Sequence, residues 1–182
     1  SEKLRAVNAM GEMMIATVHG NFPVKKGDKI AATRIIPLVI EQEKMDRARA
    51  LAGGKPLLEI LPFRKLRAGI VTTGSEIFKG RIKDAFGPVV RTKLAEYGVD
   101  VIGQKLVDDG KENIIDALRE FLAQGVELLI CTGGMSVDPD DCTPGAIREF
   151  GAVIESYGAP VLPGAMFLLG YYEKKKKTVP VM

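Results

Sequence analysis

The sequence predicts an α/β protein, a three-layer sandwich around a mainly parallel sheet, preceded by a small β-rich appendage. Three observations carry this. From Ala68 onward, short apolar runs of strand character alternate regularly with helical segments, the pattern of a parallel sheet covered by helices. The run Val126, Leu128, Leu129 and Ile130 is bounded by Gly125 and the pair Gly133-Gly134, which favours a strand buried on both faces over a buried helix. Residues 1 to about 40 offer instead two or three strands, separated by Asn21-Phe22-Pro23 and Lys26-Gly27-Asp28. The expected organisation is a β-rich appendage with one helix over residues 1–66 and an α/β domain over 67–182.

Composition narrows the function. A chain of 182 residues can bury a real core. Its formal charge of +3 is small and its cations are scattered, so the pI near 8.8 does not point to nucleic acid. No apolar run approaches a membrane span and no cationic start precedes an apolar core, so neither a membrane partner nor a signal peptide is expected. The two cysteines, Cys131 and Cys142, form no disulfide framework or metal-finger spacing, which suits a reducing cytoplasm. His19 is the single histidine; multi-histidine metal sites and histidine dyads are excluded, and it reads as structural.

In chain order, the VKKGDKI segment reads as a turn between hairpin-like strands, its lysines solvated. Glu41 to Leu51 alternates at helical spacing and Gly53-Gly54-Lys55-Pro56 stops it. That GGKP lacks the preceding glycine and following Ser or Thr of a phosphate loop. Leu57 to Phe63 is a candidate strand. Ala68 to Thr73 is the first strand of the α/β region, followed by the loop Gly74-Ser75-Glu76-Ile77. Pro88 opens a helix with Val90, Leu94 and Tyr97 on one face, and Gly98 ends it. After a strand at Val99–Val107, Asp109 and Glu112 have the spacing of a capping box, and Ile114, Ile115, Leu118, Phe121 and Leu122 form the buried stripe of the next helix. Thr143 and Pro144 read as N-cap and first residue of another helix, with a strand expected at Ala152–Ser156. Ser156 to Tyr172 carries no charge, yet its prolines and glycines forbid a spanning helix; core plus cleft wall is expected there, and Lys174–Lys177 reads as a solvated turn.

The loops at 74–80, 108–110 and 132–142 each follow a strand and precede a helix, so all three fall at one sheet edge, where open α/β sheets bind ligands. Thr73, Gly74, Glu76, Asp109, Gly133, Gly134, Ser136 and Asp141 are thereby expected to converge on one cleft. Gly133 and Gly134 permit close backbone approach to a ligand, and Asp138, Asp140 and Asp141 place three carboxylates within four residues. An ordinary βα loop with solvated acids is the plain alternative.

Taken together, TTGSEI at 72–77, the Gly-Pro helix start at 87–88, LVDDG at 106–110, TGGMSVDPDDCTP at 132–144 and APVLPG at 159–164 resemble the molybdopterin-binding domain of molybdenum cofactor biosynthesis proteins, both adenylyltransferases and molybdotransferases. The resemblance covers residues 68–182. It implies a pterin ligand whose phosphate end sits on the glycine loop of Thr132, Gly133, Gly134 and Ser136, with Thr73, Gly74 and Glu76 of the first strand end also binding it. It further implies that Asp109 and Asp141 serve the reaction and hold Mg²⁺, with ATP or molybdate as co-substrate, in a cytoplasmic homo-oligomer, a dimer or trimer. Ser136 and Val137 fit the molybdate-inserting branch better than the adenylating one. The stretch Asp84–Pro88 departs from the asparagine that many members carry there. The family usually continues past Val179–Met182, so a domain truncated at its C-terminus is expected.

Two other functions fit the same residues. One is a nucleotide pyrophosphatase related to the competence-damage family, whose loop is also Thr-Gly-Gly followed by a paired Asp and Thr. The other is a non-catalytic module that stores or presents molybdopterin or senses molybdate. No haem or iron–sulfur spacing suggests redox catalysis with finished cofactor.

Overall fold

A computed structural model describes residues 2–136, 141–174 and 177–182. The chain forms two compact units, Ser1–Leu61 and Pro62–Met182.

The first unit is less β-rich than the sequence suggests. It opens with a short helix, α1 (Glu2–Asn8), which buries Val7. With only Leu4 and Val7 marking an apolar face, so short a helix leaves little periodicity to read. Strands β1 (Met13–Thr17) and β2 (Ala31–Ile35) pair antiparallel, and Lys25–Asp28 forms the expected turn with Gly27 at φ 100°. Helix α2 (Gln42–Ala52) ends at Gly53, φ 73°. No strand forms over 57–63. Pro56 and Pro62 remove ladder donors there.

The second unit is a six-stranded sheet in the order β4-β3-β5-β8-β7-β6. Strands β3 (Arg67–Thr73), β4 (Asp100–Val107) and β5 (Leu128–Thr132) are mutually parallel, and β8 (Lys177–Val181) runs parallel to β5. Strands β6 (Val153–Tyr157) and β7 (Leu168–Lys174) complete the sheet antiparallel.

Helices α5 (Lys111–Ala123) and α6 (Thr143–Phe150) pack against one face. The stripe Ile114, Ile115, Leu118, Phe121 and Leu122 meets Val71, Leu129, Cys131, Val179 and Val181 in one core. Phe121 needs room: a Cβ on Gly69 would lie 2.5 Å from its ring, and one on Gly103 would lie 3.2 Å away. Residues 69 and 71 face α5, so 70 and 72 face the other way by strand alternation. There α4 (Phe86–Glu96) sits on β4, with Gly87 against the Gln104 side chain. The sheet is thus covered on both faces beside β3 and β4, as expected for three layers.

Three helix starts differ from expectation. Helix α5 is capped by Gly110 and its cap uses no side chain; the carboxylate of Asp109 turns elsewhere. Helix α6 is capped by Cys142, so Thr143 is already helical and its hydroxyl bonds back toward the sheet. Helix α4 begins two residues before Pro88, and the Asp84 carboxylate accepts the Phe86 and Gly87 amides.

Candidate functional site

The parallel registers of β3 with β4 and β5 place Thr73 beside Val107 and Thr72 beside Thr132. The three following loops therefore leave the sheet at one edge. The Gly74 amide donates to the Val107 carbonyl at 3.2 Å, joining the first two loops. Gly74, φ 141°, is the N-cap of the four-residue helix α3 (Ser75–Phe78). Asp109, from the second loop, accepts the Ser75 amide through Oδ2 at 2.8 Å. Glu76 lies exposed on α3.

The glycine loop is fastened from the α6 side. Gly133 and Gly134 hold φ of 90° and 57°, in the left-handed region where glycine is unstrained. The loop also needs the absence of a side chain for packing. A Cβ on Gly133 would lie 2.3 Å from the Thr73 carbonyl oxygen, and one on Gly134 would lie 2.7 Å from Thr143 Oγ1. Thr143, fully buried, donates through Oγ1 to the Gly133 carbonyl at 3.0 Å, and its backbone amide donates to the Gly134 carbonyl at 3.3 Å. Its hydroxyl is also 3.2 Å from that of Thr73, which reaches the Thr132 carbonyl at 3.4 Å. Thr73, 2% exposed, thus spends its side chain inside the protein.

On the α4 side a second polar chain reaches the same loop. Gln104 Nε2 donates to Asp84 Oδ2 at 2.6 Å and to Thr72 Oγ1 at 2.9 Å, and the Thr72 and Thr132 hydroxyls lie 3.0 Å apart. Desolvation alone would raise the Asp84 pKa; hydrogen bonds from the Gly87 amide, Gln104 and the Phe86 amide outweigh it and hold the carboxyl below its ordinary value. Sequence reasoning missed Gln104, and it met Thr72 only as the first residue of the TTGSEI motif, with no role of its own. The only available signal was polar residues at positions facing an otherwise apolar sheet.

Beyond the glycines, Asp141 Oδ2 accepts the Ser136 amide at 2.7 Å and also meets the Ser136 hydroxyl. Tyr157 donates its hydroxyl to the Met135 carbonyl at 2.8 Å. Val137, Asp138 and Asp140 lie outside the described residues, as do Lys175 and Lys176 of the lysine run. The structure thus brings Thr73, Gly74 and Asp109 together, and joins Thr132, Gly133 and Gly134 to Thr73; Ser136 and Asp141 form a further pair on the same loop. Among the described residues, no cluster of three or more His, Cys, Asp or Glu side chains could hold a metal. A groove of about 430 Å³ lies instead beside β4 and α5, lined by Phe78, Leu106, Asp108 and Asn113 among others, and not by the glycine loop. The candidate site is the glycine loop, where the backbone is specialised; Asp109 and Asp141 each accept a backbone amide, on different loops of that sheet edge.

A parallel α/β sheet with a glycine loop and acids beyond its carboxyl-terminal strand ends defines a small-molecule-binding domain of the kind that holds ligands outside the sheet edge. Residues 69–177, more than half of the chain, match the family described as "Probable molybdopterin binding domain". The chain belongs to that family. It is 38% identical over 84 residues to a CinA-like protein of Mycobacterium avium, and 39% identical over 84 residues to one of Mycolicibacterium gilvum. Each alignment covers 46% of this chain, and the chain spans only about a fifth of these curated relatives' length, 19% and 20%. Its fold resembles the tungsten cofactor synthesizing protein MoaB of Pyrococcus furiosus, with TM-score 0.57 and 22% identity over 65% of this chain and 80% of that one. It also resembles a molybdopterin biosynthesis protein of Mycobacterium abscessus, with TM-score 0.53 and 25% identity over 64% and 79%. No described helix is long and apolar enough to cross a membrane.

Proposed function

We propose that this chain binds the phosphate end of molybdopterin on the Gly133–Gly134 loop and acts in molybdenum cofactor biosynthesis, in adenylyl transfer or molybdate insertion. The observation that carries the reading is the loop itself. Two consecutive left-handed glycines follow the end of a parallel strand, and acids from two loops stand on that edge of the sheet. Backbone amides at such a turn suit an anionic phosphate.

The protein's share of the chemistry is positioning and charge neutralisation, which needs no histidine base. Asp109 and Asp141 each accept a backbone amide through Oδ2. Their oxygen donors fit Mg²⁺, which is commonly held by one or two carboxylates with substrate phosphates. When bound, Mg²⁺ supplies charge stabilisation at a phosphoryl oxygen. Asp109 and Asp141 would orient it, while the Thr73–Thr143 pair keeps the glycine loop in shape. A dimer or trimer belongs to this reading, and Phe86 and Val89 of α4, 62% and 59% exposed, are available to such an interface.

A second reading, nucleotide pyrophosphatase activity, follows from the loop's resemblance to the competence-damage family, and curated relatives of this chain carry the name CinA-like protein. One experiment separates the two. Protein purified from cells that make molybdopterin is analysed by mass spectrometry for bound ligand, then incubated with Mg²⁺ and ATP, with molybdate, or with a nucleoside diphosphate ester. Bound pterin with adenylylation or molybdate-dependent turnover supports the first reading. Cleavage of the diphosphate without bound pterin replaces it with the second, and bound pterin without turnover leaves a binding module.

A further inference from the structure

Thr73, Thr143, Tyr157 and Asp141 hold the glycine loop, and Asp109 stands on the neighbouring one; all are neutral or acidic. A phosphate dianion bound there therefore draws its positive charge from elsewhere in the fold. Helices α5 and α6 pack side by side on one face of the sheet, and both start at the site edge: α5 directly after Asp109 and Gly110, α6 directly after the loop that begins with the two glycines. Lys111, the first residue of α5, lies across the start of α6. A Cβ on Gly145, the third residue of α6, would lie 3.2 Å from Lys111 Cε and 3.5 Å from its Nζ. Gly145 has no left-handed φ, so its backbone does not require glycine, and glycine is a poor helix former. What its missing side chain provides is room for the lysine. Thr143, two residues earlier, donates to the Gly133 and Gly134 carbonyls, so the lysine and the glycine loop meet the same turn of α6.

The ammonium has one acidic neighbour, and it is a loose one. Glu149, a turn further along α6, places Oε2 3.9 Å from Lys111 Nζ, with the two side chains 51% and 55% exposed. An exposed pair at that distance contributes little to stability, so it does not by itself account for a glycine inside the helix. We propose that Lys111 is the cation that pairs with a phosphate monoester on the glycine loop, leaving Glu149 for the anion when the ligand binds. The inference rests on the function proposed above for that loop. It adds a binding residue from a different element, an ammonium after β4 acting on an anion held after β5, and it makes Glu149 a competitor for that ammonium.

Two variants separate this role from a structural ion pair. Lys111→Met keeps the apolar stem and removes the charge, whereas Glu149→Gln removes only the acid. Both break the same pair, so their thermal midpoints should move alike and little. Binding of AMP, a phosphate monoester, is followed by calorimetry and by the amide resonances of Gly133 and Gly134. Lys111→Met should bind AMP about tenfold more weakly, the loss expected for one hydrogen bond to a charged group, and its affinity should fall less steeply with added salt. Glu149→Gln, in which the ammonium is released from its competitor, should bind AMP at least as tightly as the parent protein. A merely structural lysine would instead make the two variants equal in affinity as well as in stability.

Parent-like affinity in Lys111→Met, or an equal loss in Glu149→Gln, overturns the inference and leaves the phosphate loop standing. If AMP moves neither glycine resonance in the parent protein, the loop assignment falls and the inference falls with it.

Discussion

Asp109 caps a helix it does not belong to: its Oδ2 accepts the Ser75 amide at 2.8 Å, so an acid following β4 starts the helix that follows β3. The bond ties two of the three loops at the sheet edge and uses one of the two carboxylate oxygens. One side chain thus has a structural duty and a chemical opportunity on different atoms.

The two duties separate by substitution. Asparagine caps about as well as aspartate, whereas loss of a cap costs about 0.5–2 kcal/mol. Asp109→Asn should melt close to the parent protein and Asp109→Ala lower, while both lose metal-dependent turnover if the carboxylate holds Mg²⁺. Asp141→Asn should behave like Asp109→Asn, keeping the contact with Ser136. Melting curves and turnover on the same preparations check this, and full activity in either Asn variant removes that acid from the reaction.

Thr143→Val removes the hydroxyl that joins Gly133 and Thr73 while keeping shape and burial. The variant leaves the buried Gly133 contact unmade and should cost about 1–3 kcal/mol in urea unfolding. Thr143→Ser keeps the hydroxyl and should recover much of the loss. Equal stability of the Val and Ser variants would show that the hydroxyl does not hold the loop.

Asp84 makes the fold acid-sensitive in a defined direction. Its folded pKa lies below the ordinary aspartate value of about 3.9, so its contribution is complete above that pH and is lost as pH falls through the folded value. Asp84→Asn should therefore be less stable than the parent near neutrality, approach it as the pH falls through the folded value, and show a shallower decline in stability below about pH 4. Denaturant titrations across the acid range check the slope, and parallel curves would assign the acid response to other groups.

The two cysteines should differ in reactivity. Burial pushes the Cys131 thiol up to about 12, whereas Cys142 is only partly buried at the start of α6. Since the thiolate is the nucleophile, iodoacetamide at pH 8 should label Cys142 in the native protein and reach Cys131 only after unfolding. Peptide mass spectrometry reads both sites, and early labelling of Cys131 would show that β5 opens without global unfolding.

Much of the second unit was legible in one dimension because its signals are local. The stripe Ile114 to Leu122 and the punctuation at Gly98 and Gly125 mark the elements, and the repeated strand, loop and helix order puts three loops at one edge. The first unit was less legible. Its opening helix is too short to show a period, and the apolar run at 57–63 has the composition of a strand without the partner that a strand requires.

By itself, the sequence determined which residues could do chemistry and on which loops they lie: Gly133 and Gly134 for the turn, Asp109 and Asp141 for charge. Only the tertiary structure decided what each side chain touches. Thr73 proved to be an internal brace, Asp109 the cap of another helix, and Gln104, silent in the sequence, the link between Asp84 and Thr72. Helical and strand periods are written in neighbouring residues. A hydrogen bond between positions 73 and 143 is created only when β3 and α6 pack against the same glycine loop, and nothing local to either residue encodes it.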